Sequence, residues 1–292
     1  MRTVLRYWQT FSLLCGLICF SVAATAQCKF TTLTIPGAIF SGAGGVNDSG
    51  AIVGTFTDSA GGHGFLISGG KFFKFRFPGS RITEANDINN FGQIVGDFVS
   101  NAEHGFVVKN GAFHSISAPG TGGAGTLTRA IGINNPGDIV GAFEGSAGGE
   151  HGFLLHNGHF TTITFPGSSR TEADGINGFG TIVGTYGDST GFDHGYMLKA
   201  GKFTTIDFPG ADDTLLLRID NEGDIVGAYQ MHGDVHGFAL DKGRFVTLDD
   251  PNASSSTVIS DVNSHDRIVG GFTDVSGHSH AFTATCPAGA VF

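Results

Sequence analysis

Three short motifs return in step along the chain and predict an all-β fold built from one repeated unit. An Ile-Val-Gly glycine stands at Gly54, Gly96, Gly141, Gly184, Gly227 and Gly270, at spacings of 42, 45, 43, 43 and 43 residues. A histidine followed by a small residue and an aromatic recurs at His63, His104, His151, His194, His236 and His280. A Pro-Gly step recurs at Pro36, Pro78, Pro119, Pro166 and Pro209, with Pro251-Asn252 in the last copy. A period in the forties with strand patterning is the signature of propeller blades. The sequence therefore predicts a six-bladed β-propeller of four-stranded antiparallel blades. A β-solenoid is the competing arrangement, but its coils are usually shorter than this period.

The copy at 172–208 shows how each element arises. Glu172 to Asn177 reads as a short first strand, and Asn177-Gly178-Phe179-Gly180 as a turn, because Asn accepts local backbone bonds and the last Gly tolerates positive φ. Thr181 to Tyr186 is the second strand and His194 to Leu198 the third. Lys199-Ala200-Gly201 turns the chain into the fourth, Lys202 to Phe208, whose Phe, Ile and Phe alternate with polar residues at period two. Pro209-Gly210 then ends the strand and the chain crosses to the next blade. The 48 glycines fall at such fixed points and read as turn chemistry rather than disorder.

This pattern resembles the HAF-repeat family of bacterial extracellular proteins, named for a His-Ala-Phe tripeptide. The tripeptide is literal at His280-Ala281-Phe282, and the other copies read His-Gly-Phe or, at His194, His-Gly-Tyr. The resemblance covers about residues 28–286. It implies an exported repeat protein and brings no catalytic residues with it.

The ends of the repeat region complement each other. Lys29 to Gly37 is a fourth-strand sequence with no blade before it, and the last repeat stops after its third strand, at Thr285-Cys286. The N-terminal strand is therefore expected to complete the last blade and close the ring. With His280–Cys286 laid on His151–Asn157, Cys286 falls on Asn157; with Phe30 laid on Phe160, Cys28 falls on Gly158. Those two positions are consecutive in a hairpin turn of the third copy, so a Cys28–Cys286 disulfide is expected in place of the missing peptide link.

Residues 1–26 read as a signal peptide, leaving 27–292 as a single six-repeat domain. Arg2 and Arg6 precede the apolar run Phe11 to Val22, and Ala24-Thr25-Ala26 fits a small-x-small cleavage site. Cys15 and Cys19 leave with this segment, and no later stretch is long and apolar enough to span a membrane. The expectation is a secreted monomer, in the medium or the periplasm. Its net charge moves from −10 to −12 once Arg2 and Arg6 are gone, which excludes nucleic acid and anionic membranes as partners and permits a cationic ligand.

Candidate chemistry lies where the repeat breaks its own symmetry. Six equivalent histidines cannot form one active site and lack metal-ligand spacing, so they read as strand-bridging groups, with no metal or cofactor assigned. Gly187-Asp188-Ser189-Thr190-Gly191 matches a Gly-x-Ser-x-Gly pattern but lies between two strands, without the strand–turn–helix context that motif needs. The residue before the Ile or Val that ends each first strand is Gly45, Asp87, Gly132, Gly175, Arg218 or Asp261. Three residues before this position stand Glu84, Arg129 and Glu172 in the second, third and fourth copies. These six, Glu84, Asp87, Arg129, Glu172, Arg218 and Asp261, are expected to form one mixed cluster at a channel mouth, with Arg218 paired to Asp261 next door. The crossover Pro119 to Ala130 is four residues longer than Pro78 to Ala85 and rich in Gly, and reads either as a flap over that mouth or as a tolerated surface insertion.

Two function classes follow. A non-enzymatic binding or interaction scaffold with an acidic mouth is favoured by a repeat this regular. A hydrolase or lyase would use Glu84, Glu172, Asp87 or Asp261 as acid and base, and a purely structural extracellular module is the third reading. The only Trp is Trp8 and the remaining Tyr are few, while the Phe residues recur at positions expected to be buried, which disfavours a lectin or a glycosidase.

Overall fold

The computed structural model describes residues 28–121, 126–145, 148–287, 289 and 291. The predicted signal peptide and the glycines of the predicted flap, Gly122, Gly123 and Gly125, lie outside them. All 24 regular elements among the described residues are β-strands, and no helix long and apolar enough to cross a membrane occurs there.

Each of the first five repeats folds as four antiparallel strands in chain order. In the fourth, Arg170–Ile176 pairs with Ile182–Gly187, that strand with Asp193–Lys199, and this with Lys202–Thr205. We number units 1 to 6 by their first strands, Phe40–Val46, Ile82–Ile88, Leu127–Ile133, Arg170–Ile176, Asp213–Ile219 and Ser256–Val262. The third-to-fourth hairpins turn through Gly69-Gly70, Asn110-Gly111, Asn157-Gly158, Ala200-Gly201 and Lys242-Gly243, all at positive φ, which matches the twist of the strands they join.

The fourth place in unit 6 is taken by Lys29–Thr32, antiparallel to Ser279–Thr285 with Lys29 opposite Thr285 and Thr32 opposite Phe282. Beside it Cys28 and Cys286 form a disulfide, their Cα atoms 4.1 Å apart. The units are not all separate sheets. Leu127 meets Glu103, and Ser256 meets Val235, through single parallel bridges, which merge units 2 with 3 and 5 with 6 into eight-stranded sheets. At that rim the start of a third strand reaches the start of the next unit's first strand.

The recurring motifs have physical causes. Every first strand shifts register by one residue, between Ala43 and Gly45 in unit 1 and between Ala85 and Asp87 in unit 2, and likewise in the rest. This bulge lies beside the Ile-Val-Gly glycine. A Cβ on Gly54, Gly96, Gly141, Gly184, Gly227 or Gly270 would lie 1.9 to 2.2 Å from a first-strand carbonyl oxygen, so no larger residue fits. The valine before it joins neighbouring units: Val53, Val95, Val140, Val183 and Val226 each pack into the core of the following unit, and Val269 packs with Val46 and Phe65 of unit 1.

The six recurring histidines all have partners close by. Each is hydrogen-bonded within its own unit: His63 to Asp58, His104 to Ser117, His151 to Thr164, His194 to Asp207, His236 to Asp249 and His280 to Asp274. Each ring also packs against an aromatic of the second strand, centroids 5.1 to 5.8 Å apart, three of them stacked and three tilted.

A chain of side-chain amides binds the turns between first and second strands. Asn47 donates to the Asn89 carbonyl, Asn89 to Asn134, Asn134 to Asn177, Asn177 to Asp220, and Asn263 to Asn47, at 2.9 to 3.1 Å. The position in unit 5 is Asp220, whose carboxyl lacks the amide donor that would continue the series to Asn263.

Candidate functional site

The first strands stand around a central channel, and their bulges set its levels. Alternate residues face it: Glu84 and Asn86 in unit 2, Arg129 and Ile131 in unit 3, Glu172 and Asp174 in unit 4, Leu215 and Leu217 in unit 5, Val258 and Ser260 in unit 6, with Gly42 and Gly44 in unit 1. The six residues singled out in the sequence do not form one cluster. Asp87, Arg218 and Asp261 lie a level deeper than Glu84, Arg129 and Glu172, because the bulge separates them.

The deeper three bind the first strands together. The Arg218 guanidinium donates to the carbonyls of Asp174 and Leu217 at 2.7 and 2.8 Å, and to those of Asn86 and Ile131 at 2.8 and 2.9 Å, so it bridges four units. The expected pairing with Asp261 is not what forms. Arg218 reaches across to Asp87 instead, Nε to Oδ2 at 3.5 Å, because the bulge carbonyls draw its head over the axis. Asp87 accepts the amides of Ile88 and Ile133, and Asp261 those of Val262 and Val46. Both carboxyls therefore staple adjacent units, 2 to 3 and 6 to 1. Burial, then the Asp87 charge, pushes Asp261 up to about 8.

The upper level opens at the mouth. Arg129 is ion-paired with Glu150 and lies 3.5 Å from Glu172, and 4.0 Å from Glu103. Arg170 holds Glu172 and Asp193, each at 2.5 Å. Glu84 has no ion pair within 4.0 Å among the described residues, and burial together with the Glu103 charge raises its pKa. Two carboxyls that the sequence reading missed sit beneath this level. Asp97 accepts from the Asn86 amide at 2.9 Å, and burial and Glu84 raise it to about 7. Asp174 accepts from the Thr185 hydroxyl at 3.1 Å, and burial and Glu172 raise it to about 8. Asp97 was findable in principle, because it stands opposite Glu84 in the antiparallel ladder.

The remaining wall is different. Between units 6 and 1 a hollow of about 230 Å³ is lined by Phe40, Gly42, Val258, Gly271 and Thr273 among others. The channel thus has charged residues on units 2 to 4 and apolar or small ones on units 5, 6 and 1. Chemically, such an arrangement can receive a cation on one side and an apolar group on the other, with two buried carboxyls whose pKa values are raised toward neutrality. Among the described residues no three His, Cys, Asp or Glu side chains converge to hold a metal ion.

The Gly-x-Ser-x-Gly match is a loop. Asp188 Oδ1 accepts the amides of Thr190, Gly191 and Phe192 and so folds the loop on itself. The expectation that phenylalanine is buried also fails in places. Phe91 and Phe179, at the tips of two first-to-second-strand turns, are 76% and 80% exposed.

No protein-family model matches the sequence, and neither does any curated protein sequence. Solved structures do match the fold. A putative TolB from Agrobacterium tumefaciens superposes with a TM-score of 0.58 at 12% identity, over 86% of this chain and 91% of that one. A Xanthomonas campestris protein described as a gluconolactonase gives 0.54 at 11%, over 91% and 93%. A mutant of the Aleuria aurantia lectin, in complex with a fucosylated sugar, gives 0.52 at 11%, over 89% and 100%. These likenesses are to β-propellers and establish the fold class alone.

Proposed function

We propose that this chain is a secreted, monomeric binding protein, related to the HAF-repeat proteins, that takes a small cationic ligand with an apolar part at its channel mouth. In this reading six blades form a ring closed by Lys29–Thr32. The Val269 contact with unit 1, the Asn263 bond to Asn47 and the Cys28–Cys286 disulfide support that closure. The disulfide also suits an oxidising compartment.

The observation that carries the ligand class is the asymmetry of the channel wall. A backbone this regular has no structural need for Glu84, Asp97 and Asp174 on one side and Gly42, Leu215 and Val258 on the other, whereas Glu172 also holds Arg170. Arg218 spans the strands beneath this level, bonded to the Asn86 and Ile131 carbonyls, and gives the site a floor. A hydrolase or lyase is the second reading, and the protonated Asp97 and Asp174 favour it, since a general acid needs such a group. Asp87 and Asp261 leave that reading, because both are engaged by backbone amides.

Calorimetric titration of the 27–292 chain with n-butylammonium, n-octylammonium and tetramethylammonium tests the binding proposal. Binding at one site is expected, tighter at pH 8 than at pH 6 as Asp97 loses its proton, and about tenfold weaker in Glu84→Gln. Absence of saturable heat with all three at pH 8 would overturn it.

A further inference from the structure

The opposite face, where the first-to-second-strand turns lie, holds a second hollow. Its volume is about 120 Å³, its wall is those six turns, and its floor is Arg218 with Asp87 and Asp261. The inner asparagines of the turns are committed to the amide series described above. The next position outward is less so. Asn135 accepts the Asn90 amide and Asn221 accepts the Gly178 amide through Oδ1, and among the described residues the Nδ2 of each has no hydrogen-bond partner.

One position further along each turn stand Ser49, Phe91, Pro136, Phe179, Glu222 and His265. Turn chemistry asks for a small or polar residue there. Phe91 and Phe179 bury little of their rings, so neither gains core packing in return for its hydration penalty. At the rim outside the hollow's lining, units 2, 3 and 4 thus carry Phe91, Pro136 and Phe179, and units 6 and 1 carry His265 and Ser49, while Glu222 of unit 5 is in the lining itself. One position before these tips stand the free side-chain amides, Asn135 on the apolar side and Asn221 on the polar side. A ligand matching both has an apolar ring face and a rim of hydroxyls. Asp48, Asp220 and Glu222 in the wall disfavour an anionic one, and Arg218 has Nη1 and Nη2 engaged by backbone carbonyls and its Nε turned to Asp87.

We propose that this vestibule binds a neutral saccharide, its ring stacked on Phe91 or Phe179 and its hydroxyls hydrogen-bonded by Asn135, Asn221 and Glu222. The site is separate from the channel mouth and does not depend on the function proposed for it.

The test exploits the position of Trp8 in the segment predicted to be removed. Phe179→Trp then supplies the sole tryptophan of residues 27–292. Its emission is titrated with lactose, cellobiose, maltose and N-acetylglucosamine, and saturation-transfer NMR is run on the wild-type chain with the same sugars. A saturable emission change at millimolar concentration or below is expected for at least one sugar. Saturation transfer from the same sugar should be lost in Phe91→Ser/Phe179→Ser and kept in Glu84→Gln. Both serine changes are at exposed turn tips, so an unchanged melting temperature confirms that the variant is folded. No response to any of the four sugars, or saturation transfer that survives the serine changes, overturns the proposal. So does self-association that depends on concentration and vanishes in the serine variant, since that result would assign the face to a second copy of the chain.

Discussion

Replacing Asp220 by Asn should stabilise the protein, and the structure sets the size of the gain. Five of the six equivalent turn positions donate a side-chain amide to the next unit's carbonyl, and Asp220 is the exception. Its Oδ1 already accepts the amides of Gly223 and Asp224 at 2.8 Å, as the Asn134 Oδ1 does for Gly137 and Asp138, so Asn fits the same place. Its new Nδ2 would face the Asn263 carbonyl, a hydrogen bond worth about 1 kcal/mol net. The carboxyl itself also opposes folding. Burial and the Glu222 charge raise Asp220 from 3.8 to about 6. A group raised in the folded state loses its stabilising contribution as pH climbs from its ordinary value through its folded one. The Asp220 penalty therefore accumulates between pH 3.8 and about 6 and is constant above that. Full linkage would make it about 3 kcal/mol, and solvent screening at this half-buried place reduces that to about 1 kcal/mol. At pH 7 the variant should gain about 2 kcal/mol, or about 4–8 °C for a domain of this size. At pH 4 only the hydrogen-bond part should remain. Scanning calorimetry at pH 4, 5.5 and 7 measures both. A lower melting temperature at pH 7, or a gain that does not grow with pH, would refute the reasoning.

The two mouth carboxylates should respond differently to neutralisation. Glu172→Gln breaks contacts with Arg170 and Arg129 and should lower stability by about 1–2 kcal/mol, whereas Glu84→Gln should leave melting unchanged or raised; equal losses from both would contradict this division. Changing Cys28 and Cys286 to Ser opens a loop of sequence separation 258, for which chain entropy gives about 5 kcal/mol as a ceiling. Denaturant unfolding should show a loss of several kcal/mol, and a midpoint equal to wild type would show that the Lys29–Thr32 pairing holds without the bond.

Much of the architecture was legible because it repeats. The four strands of each unit and the hairpin glycines follow from alternation and turn chemistry. The Cys28–Cys286 bond followed from laying one copy on another, since Asn157 and Gly158 are indeed the two residues of a hairpin turn. The levels of the channel were not legible. A bulge adds one residue to a strand without changing its composition, so nothing in the sequence separates Asp87 from Glu84 by depth or turns Arg218 toward Asp87. Asp97 and Asp174 were missed for a related reason. One stands on a second strand and the other at the bulge itself, and the reading had assigned the channel to a single first-strand position and its neighbour three residues earlier. The exposed phenylalanines did leave a signal. Phe91 and Phe179 lie within the Asn-x-x-Gly turns rather than in strands, where no core position exists, but a count of Phe across the chain hides them.

The Arg218 bridge changes what kind of body the molecule is. With its head fixed by carbonyls of four units, Arg218 stands between the level of Glu84 and Glu172 and the hollow on the turn face. The two places can be occupied at the same time, on surfaces that point in opposite directions. With both proposed sites filled, the molecule would hold two different ligands back to back, at a distance set by the length of the first strands instead of a flexible linker.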